Sequence, residues 1–280
     1  LLDPSYCNFP TQVITGIREI EILRFPVLEE DTWKHTADSK TDDFYRFILK
    51  NKPKVILLIS PDNPTSKVLS DRFISSALKA ATEVGSFLVI DFAYKEIVFD
   101  DAYPEYFSWG PKDNYISLRS NSKWCRGLGR RLGWIEAPEF IIEAMESIQN
   151  STILCPDMLH QMAMTKYITK SIANDNLIKY VRDVNKQYKL AAEKMLQSIQ
   201  QNLEFPALKP EGGLYTCMRV DMGCAKFVEN VLKGSGVLLV PGRGFGRTLS
   251  KAVRISYGPL VNDLEKIELG IGKIAKFLKK

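Results

Sequence analysis

Residues 54–91 read KVILLISPDNPTSKVLSDRFISSALKAATEVGSFLVID, and they indicate the fold class. Its two apolar ends, 54–59 and 87–90, predict buried strands. The middle predicts a helix that begins after Ser70 and ends at Gly85, because serine is a good N-cap and glycine a good helix stop. A strand, a helix and a second strand in this order are typical of a parallel βαβ unit.

The rest of the chain continues this alternation. Strands are predicted at 115–118, 215–220, 237–240 and 253–256, and helices at 139–148, 157–202 with a break near 172–175, and 262–278. This order predicts an α/β fold with a mostly parallel sheet that helices cover on both faces. We expect a large domain over residues 1–180 and a smaller C-terminal α+β domain over residues 181–280.

Composition excludes several function classes. The 280 residues are 45% hydrophobic, which is enough for a large core, and the net charge of +5 is modest, with 38 basic against 33 acidic residues. No long basic run predicts a nucleic-acid partner, and no apolar stretch is long enough to span a bilayer. The only two histidines, His35 and His160, are far apart, which argues against a histidine-rich zinc site and a Ser-His-Asp triad; no metal is expected.

The cysteines favour a reducing compartment. None of the five belongs to a C-x-x-C pair, so the pattern argues against a disulfide scaffold and for the cytoplasm. The cysteines are Cys7, Cys125, Cys155, Cys217 and Cys224.

Polar side chains follow the predicted strands of the large domain. Asn63 follows the first strand, Asp91 and Tyr94 the second, and Ser120 and Lys123 the third. Ligands of parallel sheets bind beyond the carboxyl ends of the strands, so these residues are expected at one sheet edge. A lysine, an aspartate, a tyrosine and an asparagine at that edge, with a nearby arginine, can bind the phosphorylated, aldehyde-bearing cofactor pyridoxal phosphate (PLP).

The chain resembles the class I/II aminotransferases, which are PLP-dependent enzymes of fold type I. The resemblance covers essentially the whole chain, and its motifs, each weak alone, form a strong signal in this order and at these separations. They are Asp-Asn-Pro-Thr at 62–65, Asp-Phe-Ala-Tyr at 91–94, SNSKWCRGLGRRLG at 120–133, Gly-Gly-Leu-Tyr at 212–215 and Val-Arg-Ile-Ser at 253–256.

The resemblance implies roles for the residues that would face the cofactor ring. Lys123 would form the Schiff base with the cofactor aldehyde and later carry a proton, although a lysine taken alone is usually a solvated surface residue. Asp91 would keep the pyridine nitrogen protonated, and Tyr94 and Asn63 would contact the ring oxygen. The alternative interpretations are that Asp91 is an ordinary turn residue, that Tyr94 packs in the core, and that Asn63 belongs to an Asn-Pro turn.

The resemblance also implies which residues would bind the cofactor phosphate, stack on the face of the cofactor ring and bind the substrate. Ser120 and Arg131 would bind the phosphate; Arg130 is adjacent, but the family spacing of eight residues after the lysine favours Arg131. Tyr6 would stack on the ring, or it is a loop tyrosine packed on the core. Arg254 would bind the α-carboxylate of the amino-acid substrate, or it is an exposed strand arginine.

The sequence departs from the family pattern at several places. Ser66 and Arg126 stand where the family usually has glycine; both fit if the local φ is negative, although they restrict the backbone more. The family's N-terminal segment is absent ahead of Tyr6, so we expect a fragment, a processed form or a divergent short member. No arginine lies between Arg131 and Arg182, which disfavours one mode of dicarboxylate recognition.

The predicted function is that of a PLP-dependent aminotransferase that moves an amino group from an amino acid to a 2-oxo acid. A homodimer is expected. Two alternatives stay open. A PLP-dependent lyase, decarboxylase or racemase would use the same electron sink on the same fold. A truncated PLP-binding module without catalytic activity, or a fragment without cofactor, is the third interpretation.

Overall fold

The structure, a computed structural model, describes residues 1–16, 19–100 and 103–279. The strands are β1 Leu2–Asp3, β2 Phe25–Pro26, β3 Leu28–Glu29, β4 Lys34–His35, β5 Val55–Ile59, β6 Phe87–Asp91, β7 Tyr115–Ser120, β8 Gly133–Glu136, β9 Tyr215–Arg219, β10 Val240–Pro241 and β11 Ala252–Ser256. The α-helices are α1 Phe9–Gly16, α2 Thr41–Asn51, α3 Asp71–Val84, α4 Glu139–Thr152, α5 Met158–Ala173, α6 Asn176–Asn202, α7 Cys224–Ser235 and α8 Glu265–Leu278.

Contacts within the chain divide it into two compact units. Unit 1 contains Leu1–Thr41, Pro61–Leu69 and Gln187–Lys280, and unit 2 contains Asp42–Ser60 and Ser70–Lys186. Each unit consists of several separate segments of the sequence, because residues are assigned to a unit by their contacts in the folded chain. The division into domains over residues 1–180 and 181–280 stays a prediction.

Unit 2 is built on a four-stranded sheet in the order β5-β6-β7-β8. The first three strands are parallel, and β8 runs antiparallel to β7. The predicted α/β fold class is therefore confirmed, with a sheet that is mixed because its last strand reverses direction.

Helix α3 forms for the reasons that the sequence predicts. The Ser70 hydroxyl oxygen accepts a hydrogen bond from the Phe73 amide at 3.2 Å, which satisfies one unpaired donor of the first turn. Gly85 ends the helix in the left-handed conformation, with φ 68°. The apolar face, which includes Phe73 and Ile74, is buried, and α3 packs against β6. This strand-helix-strand unit carries Asp91 at the end of β6.

Unit 1 contains an antiparallel sheet in the order β10-β11-β9, in which Arg254 pairs with Cys217. Its core cluster contains Leu28, Trp33, Leu208, Cys217, Phe245, Leu249 and Ala252. The strand predicted at 237–240 is wrong in its extent, since only Val240 and Pro241 pair with β11. Residues 237–239 instead form a loop that follows α7 and its C-cap Gly236, and the Val237 amide donates to the Ser235 hydroxyl oxygen.

The predicted helix at 139–148 is confirmed as α4 and extends to Thr152. Its predicted apolar face is not covered within the chain: no described residue of α4 is buried, and Phe140 and Ile148 are 55% and 64% exposed. The predicted break in the following helical region falls between α5 and α6. None of the described helices has both the length and the apolar character needed to cross a membrane.

Candidate active site

Asp91 occupies the carboxyl end of β6, in the middle of the parallel part of the unit 2 sheet. It pairs in register with Ile59 of β5 and Leu118 of β7. Its Oδ1 accepts a hydrogen bond from the Ala93 amide at 2.8 Å. Burial raises the pKa of Asp91, and the Ala93 hydrogen bond opposes that shift only in part. Among the described residues Asp91 forms no ion pair, so a cationic ligand group would stabilise its charged form.

Tyr94 and Lys123 come together in unit 2. The Nζ atom of Lys123 lies 5.6 Å from the centroid of the Tyr94 ring. Tyr94 is buried at 3% exposure, and Lys123 is half-buried. An amine over an aromatic ring gains a modest electrostatic attraction, which holds the lysine near the tyrosine. The structure thus gathers two predicted residues from segments that lie 29 residues apart in the sequence.

The loop that follows β7 is held by its own backbone. Ser120 ends the strand, and its hydroxyl oxygen accepts a hydrogen bond from the Ser122 amide at 3.1 Å. The Asn121 amide donates to the Leu132 carbonyl at 3.1 Å, which closes the segment just before β8. At Gly133 a Cβ atom would lie 2.5 Å from a backbone carbonyl of β7, so only glycine allows this close pairing. Lys123 is therefore presented by a short, internally bonded loop.

The two positions where the family usually has glycine do not adopt a negative φ. Ser66 has φ 58° and Arg126 has φ 56°, so the condition that the sequence suggested for both is wrong. Residues with a Cβ atom are disfavoured in this left-handed region. Arg131 also lies in it, with φ 51°, just after the short 3₁₀-helix Leu128–Arg130, and its side chain is exposed. The phosphate role of Ser120 and Arg131 stays a prediction.

The Asn63 loop belongs to unit 1 and is a tight turn. The Asp62 Oδ2 atom accepts hydrogen bonds from the amide and the hydroxyl of Thr65, at 3.0 and 2.6 Å. The Ser66 amide donates to the Asp62 carbonyl at 2.9 Å. Burial raises the pKa of Asp62 to about 6, although the Thr65 hydrogen bonds oppose the shift. These bonds fix the backbone around Asn63, which is buried.

Arg254 and Asn63 meet within unit 1. The Nη1 atom of Arg254 donates to Asn63 Oδ1 at 2.9 Å. The guanidinium carbon lies 4.2 Å from the ring centroid of Tyr215 and 4.9 Å from that of Phe245. Its Nε atom is buried and has no hydrogen-bond partner among the described residues. A guanidinium that lies against two rings, and whose Nε–H has no partner among the described residues, is suited to bind a carboxylate.

Tyr6 is half-buried in unit 1, at the start of the chain. Its ring meets Phe9 edge to face, with centroids 5.3 Å apart. Asn8 Nδ2 donates to the Tyr6 hydroxyl oxygen at 3.0 Å. Burial raises the pKa of Tyr6, and the Asn8 hydrogen bond and the charge of Arg254 oppose the shift. The ring-stacking role of Tyr6 stays a prediction.

Sequence reasoning missed the side chains that hold the predicted residues. Tyr215 is only part of a sequence motif and Phe245 belongs to none of the motifs, yet both rings contact Arg254. The strand register places Tyr215 diagonally to Arg254 on the same face of the antiparallel pair, but no sequence signal fixes that register. Asn121, beside the predicted lysine, was also missed: its Oδ1 is buried without a partner among the described residues.

Comparisons with known proteins agree with one another. The profile of a family described as aminotransferase class I and II matches residues 1–268. An aspartate aminotransferase from Pyrococcus abyssi is 27% identical, over 99% of this chain and 68% of that protein. Aromatic-amino-acid aminotransferase 2 from Thermococcus litoralis is 25% identical over the same shares. The crystal structure of an aromatic aminotransferase from Pyrococcus horikoshii OT3 is 25% identical, with a TM-score of 0.85 over 99% of this chain and 72% of that one.

Proposed function

This chain belongs to the class I and II aminotransferase family, and from that premise we propose that it moves an amino group from an amino acid to a 2-oxo acid with PLP as its cofactor. Members of the family depend on PLP. One observation carries the proposal for this chain: Asp91, Tyr94 and Lys123 lie around the carboxyl ends of adjacent parallel strands. Asp91 in particular is a half-buried carboxylate that forms no ion pair with any described residue, which fits a protonated pyridine ring.

The residues of unit 2 would bind and activate the cofactor. Bound PLP supplies an electron sink for negative charge that develops at the substrate Cα. Lys123 would hold the cofactor aldehyde as a Schiff base and, once released, would move a proton at Cα. Asp91 would keep a proton on the pyridine nitrogen, and the Tyr94 hydroxyl would donate to the ring oxygen. Ser120 and Arg131 would bind the phosphate oxygens.

For the predicted residues of unit 1 we propose the following roles. Arg254 would bind the α-carboxylate. Two observations support this role: its Nε atom has no hydrogen-bond partner in the part of the chain that the structure describes, and its guanidinium lies close to two rings. A carboxylate held by an arginine fixes the orientation of the amine, and orientation is a large part of the rate. Asn63 would contact the ring oxygen, and Tyr6 would stack on the ring face.

The names of the relatives indicate which substrates to test. They are aspartate, aromatic-amino-acid and LL-diaminopimelate aminotransferases. We therefore propose a test panel of aspartate, tyrosine and LL-diaminopimelate, each with 2-oxoglutarate as the acceptor. A 2-oxo acid product that forms only when the acceptor is present supports amino transfer. Ammonia or carbon dioxide released without an acceptor would favour the lyase or decarboxylase alternative instead.

We also propose that the protein works as a homodimer in the cytoplasm. The five cysteines are free, which fits a reducing compartment. Helices α4 and α5 expose large apolar side chains, and we propose that these form one face that a second copy covers, since exposed apolar patches mark interaction sites. Helix α4 carries three glutamates and no basic residue, and α5 carries two lysines and no acidic residue, so a twofold pairing of α4 with α5 would match opposite charges. The face is formed by Phe140, Ile148, Met158, Leu159 and Met162, which are between 55% and 74% exposed.

The assignment of Lys123 is tested by chemical trapping. The chain is mixed with PLP, reduced with borohydride, digested, and the pyridoxyl label is mapped by mass spectrometry. We expect the label on Lys123, and no label and no amino transfer in Lys123→Ala. Lys112→Ala, which removes an exposed lysine of the same unit, is the matched control and should be labelled like the parent. A label on a different lysine of the parent would contradict the assignment.

A further inference from the structure

Ser66 is a buried serine in a backbone conformation that favours glycine. It is 0% exposed, and its φ is 58°. The position follows Asp62-Asn63-Pro64-Thr65 directly, at the end of the tight turn that holds Asn63. A Cβ atom is disfavoured at this φ, so the serine side chain needs a compensating interaction. Its hydroxyl supplies one.

The Ser66 hydroxyl belongs to a buried chain of hydrogen bonds within unit 1. Its oxygen accepts from the Tyr215 amide at 3.3 Å, and the Tyr257 hydroxyl lies close enough to interact with it. The Tyr257 hydroxyl in turn lies 3.2 Å from the carbonyl oxygens of Gly212 and Gly213, to which it donates. A Cβ atom at Gly213 would come within 2.8 Å of the Ser66 oxygen, so this glycine leaves the room that the serine occupies. The hydroxyl and its surroundings therefore fit each other.

This hydrogen-bond chain connects the segments that hold Arg254. The Tyr215 ring lies under the Arg254 guanidinium, and Tyr257 follows Arg254 by three residues at the end of β11. On the other side, Asn63 accepts from Arg254 at 2.9 Å and lies three residues before Ser66. One hydroxyl thus contacts strand β9, the residue after β11 and the Asn63 turn.

A second contact ties the same turn to the same segment. The Glu211 amide donates to the Ser66 carbonyl at 2.9 Å, and the Glu211 carboxylate accepts from the Lys67 amine at 2.8 Å. These bonds hold the turn at its surface. On the inner side of the turn, where Asn63 contacts Arg254, the connection to β9 is the hydrogen bond from the Tyr215 amide to the Ser66 hydroxyl.

We propose that Ser66, acting with Tyr257, is a positioning residue for the Arg254–Asn63 pair and so for the substrate carboxylate. The inference rests on the proposed function, because it assumes that Arg254 binds that carboxylate. A buried hydroxyl that bridges two segments limits their relative movement, since breaking its bonds leaves polar groups unpaired. A glycine would adopt this positive φ freely. The serine restricts the backbone, and its hydroxyl is hydrogen-bonded to Tyr215, whose ring contacts Arg254.

The test compares three substitutions. Ser66→Ala removes the hydroxyl and keeps the unfavourable φ, Ser66→Gly removes the hydroxyl and relieves the backbone, and Tyr257→Phe removes the partner hydroxyl. We expect each to raise the KM for the amino acid about tenfold, with kcat within about twofold, as losing roughly one neutral hydrogen bond predicts. The double substitution S66A/Y257F should raise KM no more than the larger single effect.

The control is Ser86→Ala, which removes another buried serine hydroxyl in unit 2, bonded to the Pro53 carbonyl. It should lower stability and leave KM at the parent value. A merely structural role of Ser66 predicts instead that Ser66→Gly, with its favoured backbone, keeps the parental KM. That result would overturn the proposal.

A second measurement separates this inference from the proposed function. The side-chain signals of Arg254 Nε–H and the Asn63 amide are recorded by NMR in the chain without cofactor. We expect both signals to move in Ser66→Ala and in Ser66→Gly and to stay in place in Ser86→Ala; unchanged signals would overturn the positioning role. A parent chain that transfers no amino group with any substrate would contradict the proposed function, and the NMR comparison would still decide whether Ser66 positions the pair.

Discussion

At the scale of single residues, Asp91 presents an electrostatic conflict in unit 2. Burial raises the pKa of its carboxyl group, and no ion pair with a described residue compensates. A protonated pyridine ring would turn this cost into a favourable contact, because opposite charges attract strongly away from water. The same residue is therefore unfavourable for the stability of the chain alone and, in the proposed function, would favour binding of the cofactor.

Asp91→Asn should separate these two effects. We expect the variant to fold and to bind some PLP, and its turnover to fall at least about a hundredfold, because an amide does not keep the pyridine nitrogen protonated. Steady-state kinetics and the absorbance of bound PLP measure the two quantities. Turnover within a few-fold of the parent would show that Asp91 is not the ring partner.

His35 should make the protein sensitive to acid. Burial, together with the Lys67 charge, lowers the pKa of His35 from 6.5 to about 3. Between these values the unfolded chain binds a proton that the folded chain does not, so the free energy of unfolding falls as the pH falls, by roughly 1.4 kcal/mol per pH unit. Urea titrations at pH 6.5 and 5 should show that His35→Gln loses less stability on acidification than the parent, by a difference of about 2 kcal/mol.

Asp62 changes the pH dependence of the free energy of unfolding in the opposite direction to His35. Because burial raises its pKa from 3.8 to about 6, the folded chain binds more protons than the unfolded chain in that window, and acidification adds stability there. Asp62→Asn should therefore steepen the loss on acidification, whereas His35→Gln should reduce it. Equal pH dependence in both variants and the parent would contradict both pKa shifts.

At the scale of elements, the sequence was sufficient wherever a local signal sets the outcome. Strands β5, β6 and β7 follow from short apolar runs, and α3 from a capping serine and a stop glycine. The short strand β10 was overestimated because apolar residues also occur where a chain leaves a helix. The contact of Arg254 with Asn63 was beyond reach, since it joins residues 191 apart and depends on how a turn meets a strand. The sign of φ at Ser66 and Arg126 was equally inaccessible, because tertiary contacts outweigh local preference there.

The turn between β7 and β8 offers a test of backbone strain. Arg126 is exposed and has φ 56°, so Arg126→Gly should raise the free energy of unfolding by about 1 kcal/mol. Arg130→Gly is the matched control, because Arg130 lies in the 3₁₀-helix Leu128–Arg130 with a negative φ, where glycine is destabilising. Urea unfolding of the chain without cofactor measures both. A loss of stability in Arg126→Gly equal to that in Arg130→Gly would contradict the role of φ.

At the scale of the whole molecule, family membership was readable from the sequence because it depends on the order and spacing of short motifs over almost the whole chain. These motifs lie in both compact units: Asp91, Tyr94 and Lys123 in unit 2, and Asn63 and Arg254 in unit 1. The association of copies is less accessible, because an amphipathic pattern predicts an apolar face without predicting what covers it. Helix α4 illustrates this point, since its pattern is regular and its described residues remain unburied in the single chain.

The proposed homodimer is tested by placing a charge on the face of α4 and α5. Sedimentation of the parent should give about twice the chain mass of 31.8 kDa. Leu159→Glu, at the most exposed position of the face, should shift the protein to the mass of one chain, because burying an unpaired charge is costly. Leu238→Glu is the matched control, since Leu238 is 72% exposed in unit 1 and lies outside the face; it should sediment like the parent. A parent that sediments as a single chain at micromolar concentration would contradict the dimer, and dissociation by Leu238→Glu to the same extent would show that α4 and α5 do not form the interface.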